Sequence, residues 1–179
     1  MDDTNQSAQS RKKTWAAVAG AICGVIFVAV AALALLPKRL PQLTREEFDR
    51  AMALWESVSP ENYDIEINVE GRQPAVYRVE VRGGHVRSAT RNGNPLRQQR
   101  TMGTWSVPGM FGTIEQDVIA VEQVESGSAD RYTPRLLLRA KFDPKWGKLG
   151  IPTHYHRIQW GSHTEVRWEV THFEINPAN

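Results

Sequence analysis

The sequence predicts an α+β fold: two helices packed on one face of a twisted, mainly antiparallel sheet of about six strands, preceded by one transmembrane helix. Three observations predict it. Residues 15–36 carry no charged side chain and stand directly behind Arg11-Lys12-Lys13. Apolar residues recur at helical spacing in two later stretches, one from Phe48 and one from Met110. The remaining apolar residues alternate with polar ones in short runs broken by glycine, asparagine or proline, the period of half-buried strands.

The apolar run comes first. At 1.5 Å of rise per residue, 15–36 as a helix spans about 33 Å, enough for the hydrocarbon core of a bilayer. Trp15 at one edge and Lys38-Arg39 at the other suit the two interfaces. A cleavable signal peptide, cut after Ala32-Leu33-Ala34, is the competing reading. The run exceeds the roughly 7–15 residues of a typical h-region, which favours a retained anchor. Basic residues flank both sides, so the positive-inside count is indecisive. A short basic tail ahead of an apolar run is the layout of a signal-anchor. The expected organisation is a short cytoplasmic tail (1–14), a transmembrane helix (15–36), a linker (37–43) and an extracytoplasmic α+β domain (44–179). The expected location is the cell membrane, single-pass, with the C-terminal domain outside the cytoplasm.

Cys23, the one cysteine, falls inside the apolar run, so the domain beyond it has no disulfide available and must be held by packing. Trp55, Trp105, Trp146, Trp160 and Trp168 supply large apolar anchors for that core. The formal net charge of +2 names no partner.

Thr44 and Glu47 form a capping box that starts the first helix, with Leu43 and Phe48 placed to close a hydrophobic staple. Phe48, Ala51, Met52, Trp55 and Val58 make its buried stripe, and Ser59-Pro60 ends it. Tyr63, Ile65, Ile67 and Val69 alternate inward in a strand. Tyr77, Val79 and Val81 do so in a second strand, and Gly83-Gly84 turns into a third near His85 to Thr90. Pro108 suits the first turn of a second helix, with Met110, Phe111, Ile114, Val118 and Val121 on one stripe. Leu136 to Phe142 reads as a central strand. Two more follow near Thr153 to Trp160 and Thr164 to Ile175. A three-residue loop, Gly161-Ser162-His163, would pair Ile158 with Val166 and His156 with Trp168, putting the apolar residues of that hairpin on one face. A two-residue loop would oppose Ile158 to Glu165.

Trp55, Asn62-Tyr63, Gly83-Gly84-His85-Val86, Val107 to Ile114, Phe142-Asp143-Pro144 with Gly147, and Pro152-Thr153 together form a recognisable pattern. Over roughly residues 48–175 the chain resembles a bacterial family catalogued as a domain of unknown function, found behind signal peptides or lipid anchors. It departs from that pattern by inserting Lys148-Leu149-Gly150-Ile151 and lacks the acidic pair of the last hairpin. The resemblance implies an envelope location and an α+β domain. It implies no activity and no catalytic residues.

Two constellations carry candidate chemistry. His154 and His156 lie two apart on a strand and share a face, the geometry of a two-ligand arm for zinc or copper. In the three-residue-loop register His172 and Glu174 would join them, giving a candidate metal set of His154, His156 and His172. Amphipathic residues bonded to backbone or water explain the same pattern. The second is an arginine stripe, with Arg78, Arg82, Arg87 and Arg91 as candidates for an anionic surface, since guanidinium forks suit phosphate and carboxylate groups. A solvated hairpin face explains that pattern too. The chain lacks a G-x-S-x-G elbow, a phosphate-binding glycine loop and an H-E-x-x-H helix. The sequence therefore points to a non-enzymatic binding or scaffolding domain with no cofactor. Its partners are the bilayer, through 15–36, and an envelope partner for which anionic headgroups or polymers are the candidates. No nucleic acid is expected, because that would require the arginines to lie in the cytosol. The runner-up is a metal-binding or hydrolytic domain using the histidines.

Overall fold

A computed structural model of the chain describes residues 40–143, 146–162 and 164–177, the side chains of 99 and 100 excepted. The expected tail, the expected membrane run 15–36 with Cys23, and linker positions 37–39 lie outside the described residues, as does Pro144 of the family pattern.

Helix α1 (Arg45–Val58) starts at Thr44, whose hydroxyl accepts from the Glu47 amide at 3.2 Å while the Glu47 carboxylate accepts from the Thr44 amide at 3.4 Å. Strands β1 (Tyr63–Gly71), β2 (Ala75–Arg82) and β3 (His85–Arg91) form a meander, with β4 (Asn94–Pro95) turning back on β3. A short helix α2 (Gln99–Gly103) leads to α3 (Val107–Glu125), capped by the Ser106 hydroxyl. Strands β5 (Leu136–Phe142), β6 (Pro152–Gln159) and β7 (Glu165–Ile175) complete the domain.

All seven strands join one antiparallel sheet in the order β4-β3-β2-β1-β7-β6-β5. The fold class therefore needs correction. The domain is mainly a seven-stranded sheet with small helices, and no described helix is long and apolar enough to cross a membrane. The extra strand arises because Asn92 and Gly93, both at positive φ, reverse the chain and let Asn94 and Pro95 pair with Arg91 and Thr90.

One sheet face carries Tyr63, Ile65, Ile67, Val79, Val81, Tyr155, Trp168, Val170 and Phe173, all at most 5% exposed. The helices pack on it. Trp55 of α1 meets Tyr63 edge-on at 5.7 Å between ring centroids, and Phe48 meets Phe111 of α3 at 5.9 Å. The buried Tyr63 hydroxyl accepts from the Val107 amide at 3.2 Å and so ties β1 to the first turn of α3. A bulge in β7 leaves Thr171 and His172 both exposed between buried Val170 and Phe173.

β5 is an edge strand, not the central one its apolar run suggests. Residues 40–43 lie along its outer side as a strap. The Leu43 amide donates to the Leu138 carbonyl at 3.0 Å, the Ala140 amide to the Pro41 carbonyl at 3.3 Å, and Arg139 to the Leu40 carbonyl at 2.8 Å. That cover lets an apolar strand sit at an edge.

Candidate functional site

The last hairpin decides which side chains reach the site. Ile158 lies opposite Glu165, His156 opposite Arg167, and Tyr155 opposite Trp168. This is one residue away from the register that gathers Ile158 with Val166, and a one-residue slip exchanges the faces. The physical reason is the burial of Tyr155. Its ring packs on Trp168 at 5.3 Å, both nearly fully buried, and its hydroxyl finds a partner on α3. Burying His154 and His156 instead would leave two imidazoles to satisfy in the core.

With that register Thr153, Tyr155 and Arg157 face the helices. On α3, Asp117 lies beside the buried stripe of Ile114 and Val118 and so looks toward β6. The Tyr155 hydroxyl donates to Asp117 Oδ2 at 2.6 Å, and Arg157 Nε stands 3.1 Å from Asp117 Oδ1. The second contact is an ion pair whose geometry falls short of a hydrogen bond, because Nε has no hydrogen-bond partner. Burial pushes the Asp117 carboxyl above its ordinary value, outweighing the Tyr155 hydroxyl and the Arg157 charge that favour ionisation. The Tyr155 hydroxyl is also pushed far up, first by burial and then by the Asp117 charge, so it stays protonated and remains the donor.

These groups border a cavity of about 300 Å³. Trp105, Met110, Val166 and Trp168 form its apolar walls, and Thr104 with Thr113 and Gln116 of α3 completes it. Trp105 is held in place by stacking on Tyr77, with ring centroids 4.4 Å apart and planes 23° from parallel. A concave apolar chamber with a few convergent polar groups is the usual form of a small-molecule site.

The three candidate histidines do not share a site. His154 contacts Glu169 at 3.2 Å; His156 contacts Glu165 at 2.7 Å and Arg167 at 3.2 Å; His172 contacts Glu174 at 3.5 Å. His154 and His156 point to the helix-free face, and His172 lies opposite Glu66 on β1, away from β6. Among the described residues no group of three or more His, Cys, Asp or Glu could hold a metal ion.

The candidate arginines divide between the faces. Arg78 pairs with Glu66 at 2.6 Å, and Arg82 grips both Asp64 oxygens at 2.6 and 3.2 Å. Arg87 is exposed. Arg91 lies opposite Tyr77, on the helix side, with its Nε buried and without a hydrogen-bond partner. Two of the four thus already hold carboxylates of this domain. Asp117, Tyr155 and Arg157 were not singled out by the sequence. The signal that finds them is the parity of Thr153, Tyr155 and Arg157 against Trp168 across the hairpin.

No family model matches this chain, and no curated protein matches it.

Proposed function

We propose that this chain is a single-pass membrane-anchored envelope protein whose folded domain works by binding rather than catalysis, with the Asp117–Tyr155–Arg157 cavity as its binding site. The observation that carries the binding reading is Arg157. It borders the cavity with one ion pair, at Nε, while its terminal nitrogens make no hydrogen bond or ion pair among the described residues. The membrane reading rests on the uncharged run 15–36 behind Arg11-Lys12-Lys13.

The catalytic alternative has less behind it. Asp117 and Tyr155 are locked to each other, and among the described residues no hydroxyl of the chamber is hydrogen-bonded to a histidine or lysine base. Protease added to intact cells producing the full chain tests the placement. Digestion of the domain with the chain still in the membrane fraction is the expected result; a domain cut only in inverted vesicles would overturn it.

A further inference from the structure

Resting on the binding reading above, we infer that the cavity takes a small carboxylate with a flat apolar body, its carboxylate on the terminal guanidinium nitrogens of Arg157 and its ring against Trp105.

Among the described residues, the charged group of the chamber with nitrogens left unpaired is Arg157. Asp117 has one oxygen taken by the Tyr155 hydroxyl and the other facing Arg157 Nε. The Thr113 hydroxyl donates to the Gly109 carbonyl at 3.0 Å. Beside the neutral amide of Gln116, the charged group left over is the outer edge of the Arg157 guanidinium, a planar pair of N–H groups matched to a carboxylate fork. The charge follows from the same cluster. One guanidinium beside one carboxylate gives modest attraction to an anion. The cost of stripping water from an anion grows with the square of its charge, so a single charge is accommodated more readily than two. This selects a carboxylate over a phosphate monoester. An ammonium ligand would have to approach Asp117 past the Arg157 cation, which repels it and already partly neutralises the carboxylate.

The walls define the rest of the molecule. Trp105 is fixed by Tyr77 and keeps part of its ring accessible. Trp168, nearly fully buried against Tyr155, contributes little accessible surface, so the Trp105 ring is the main flat wall set before any ligand arrives. Met110 beside them can adapt to shape. A chamber of about 300 Å³ has the volume of roughly ten waters, which fits an acid of one ring or two small fused rings.

The test uses the full chain in detergent micelles with benzoate, benzamide, phenyl phosphate and benzyltrimethylammonium, read by saturation-transfer NMR and by the shift in melting temperature. Benzoate should bind saturably, at least about tenfold tighter than benzamide and phenyl phosphate. Arg157→Gln should erase that preference. Arg157→Lys should keep part of it, because charge without the fork is retained. Near-ultraviolet circular dichroism of the Tyr155–Trp168 pair shows that both variants are folded. Equal binding of benzamide, best binding of the ammonium or the phosphate, or an unchanged preference in Arg157→Gln would each overturn the carboxylate assignment while leaving the cavity a binding site. The absence of binding by all four probes would remove both.

Discussion

Tyr155 in the middle of β6 donates its hydroxyl to Asp117 Oδ2 in α3 at 2.6 Å, the one side-chain hydrogen bond by which the candidate site fastens helix to sheet among the described residues. Tyr155→Phe keeps the ring on Trp168 and removes only that bond. The half-buried Asp117 is then left with Arg157 alone, and the expected loss is about 1–3 kcal/mol in urea unfolding. In a double-mutant cycle with Asp117→Asn the two changes should couple by more than about 0.5 kcal/mol. Strict additivity would show that water replaces the hydroxyl without cost.

Acid should weaken this domain through its open face and strengthen it through its site. Asp64 is held below its ordinary value chiefly by Arg82, and Glu66 chiefly by the Thr171 hydroxyl and then by Arg78. A folded pKa below the unfolded one gives stability that is present above the unfolded value and lost as pH falls through the folded one. Asp117 has the opposite sign. Its contribution is full below its unfolded value of about 3.8 and is lost as pH rises through the raised folded value. Urea midpoints from pH 7 to pH 3 should therefore fall less steeply in Asp64→Asn than in the wild type. Asp117→Asn should gain relative to the wild type as pH rises over the same range. A parallel pair of profiles for either variant contradicts its assignment.

Gly150 is one of the glycines that space forbids changing, with Gly71 and Gly109. It sits at φ +75° with its α-carbon against α1, and an added Cβ would lie 2.3 Å from the Ala51 carbonyl oxygen, a backbone atom that cannot swing aside. Gly83 in the β2–β3 turn also has positive φ, +58°, but open space around it. Gly83→Ala should cost about 1–2 kcal/mol from backbone conformation alone. Gly150→Ala should cost more, visible as the larger drop in melting temperature, and a reversed order would mean that the 147–151 loop moves away from α1 freely.

The strap along β5 gives a fourth expectation. Leu43→Pro removes the amide that donates to Leu138 and unfastens the strap at the shorter of its two backbone bonds. Stability should fall by about 1–2 kcal/mol. Aggregation on mild heating should accelerate as well, because β5 then offers free backbone groups to a neighbouring chain. Unchanged light scattering would show that Pro41 alone guards the edge.

Local signals were legible in the sequence wherever one element decides its own limits. The Thr44–Glu47 box starts α1, and Ser106-Val107-Pro108 starts α3. The alternation from Tyr63 to Val69 gives the buried side of β1 directly. Where two elements must agree, the sequence misleads. In β6 both parities look plausible, one carrying His154, His156 and Ile158 and the other Tyr155 and Arg157. Asp117, 38 residues from Tyr155, makes the second parity favourable, and no local pattern records that contact. The same holds for β5, whose apolar run reads as central until the strap from 40–43 is seen to cover it. The additional strand, β4, is two residues long, too short for any period to register.

The pairing of β1 with β7 has a consequence in time. Glu66 and Thr171, hydrogen-bonded at 2.7 Å, are separated by 105 residues. At about 5–20 residues per second, a ribosome delivers β7 roughly 5–20 s after β1 has emerged. During that interval β1 can pair with β2 along one edge only, and the backbone N–H and C=O groups of its other edge wait for a partner not yet made. The nascent chain of this protein is therefore most exposed to misassembly in its first half, and a holding factor acting there would protect more of the yield than any factor acting on the finished domain.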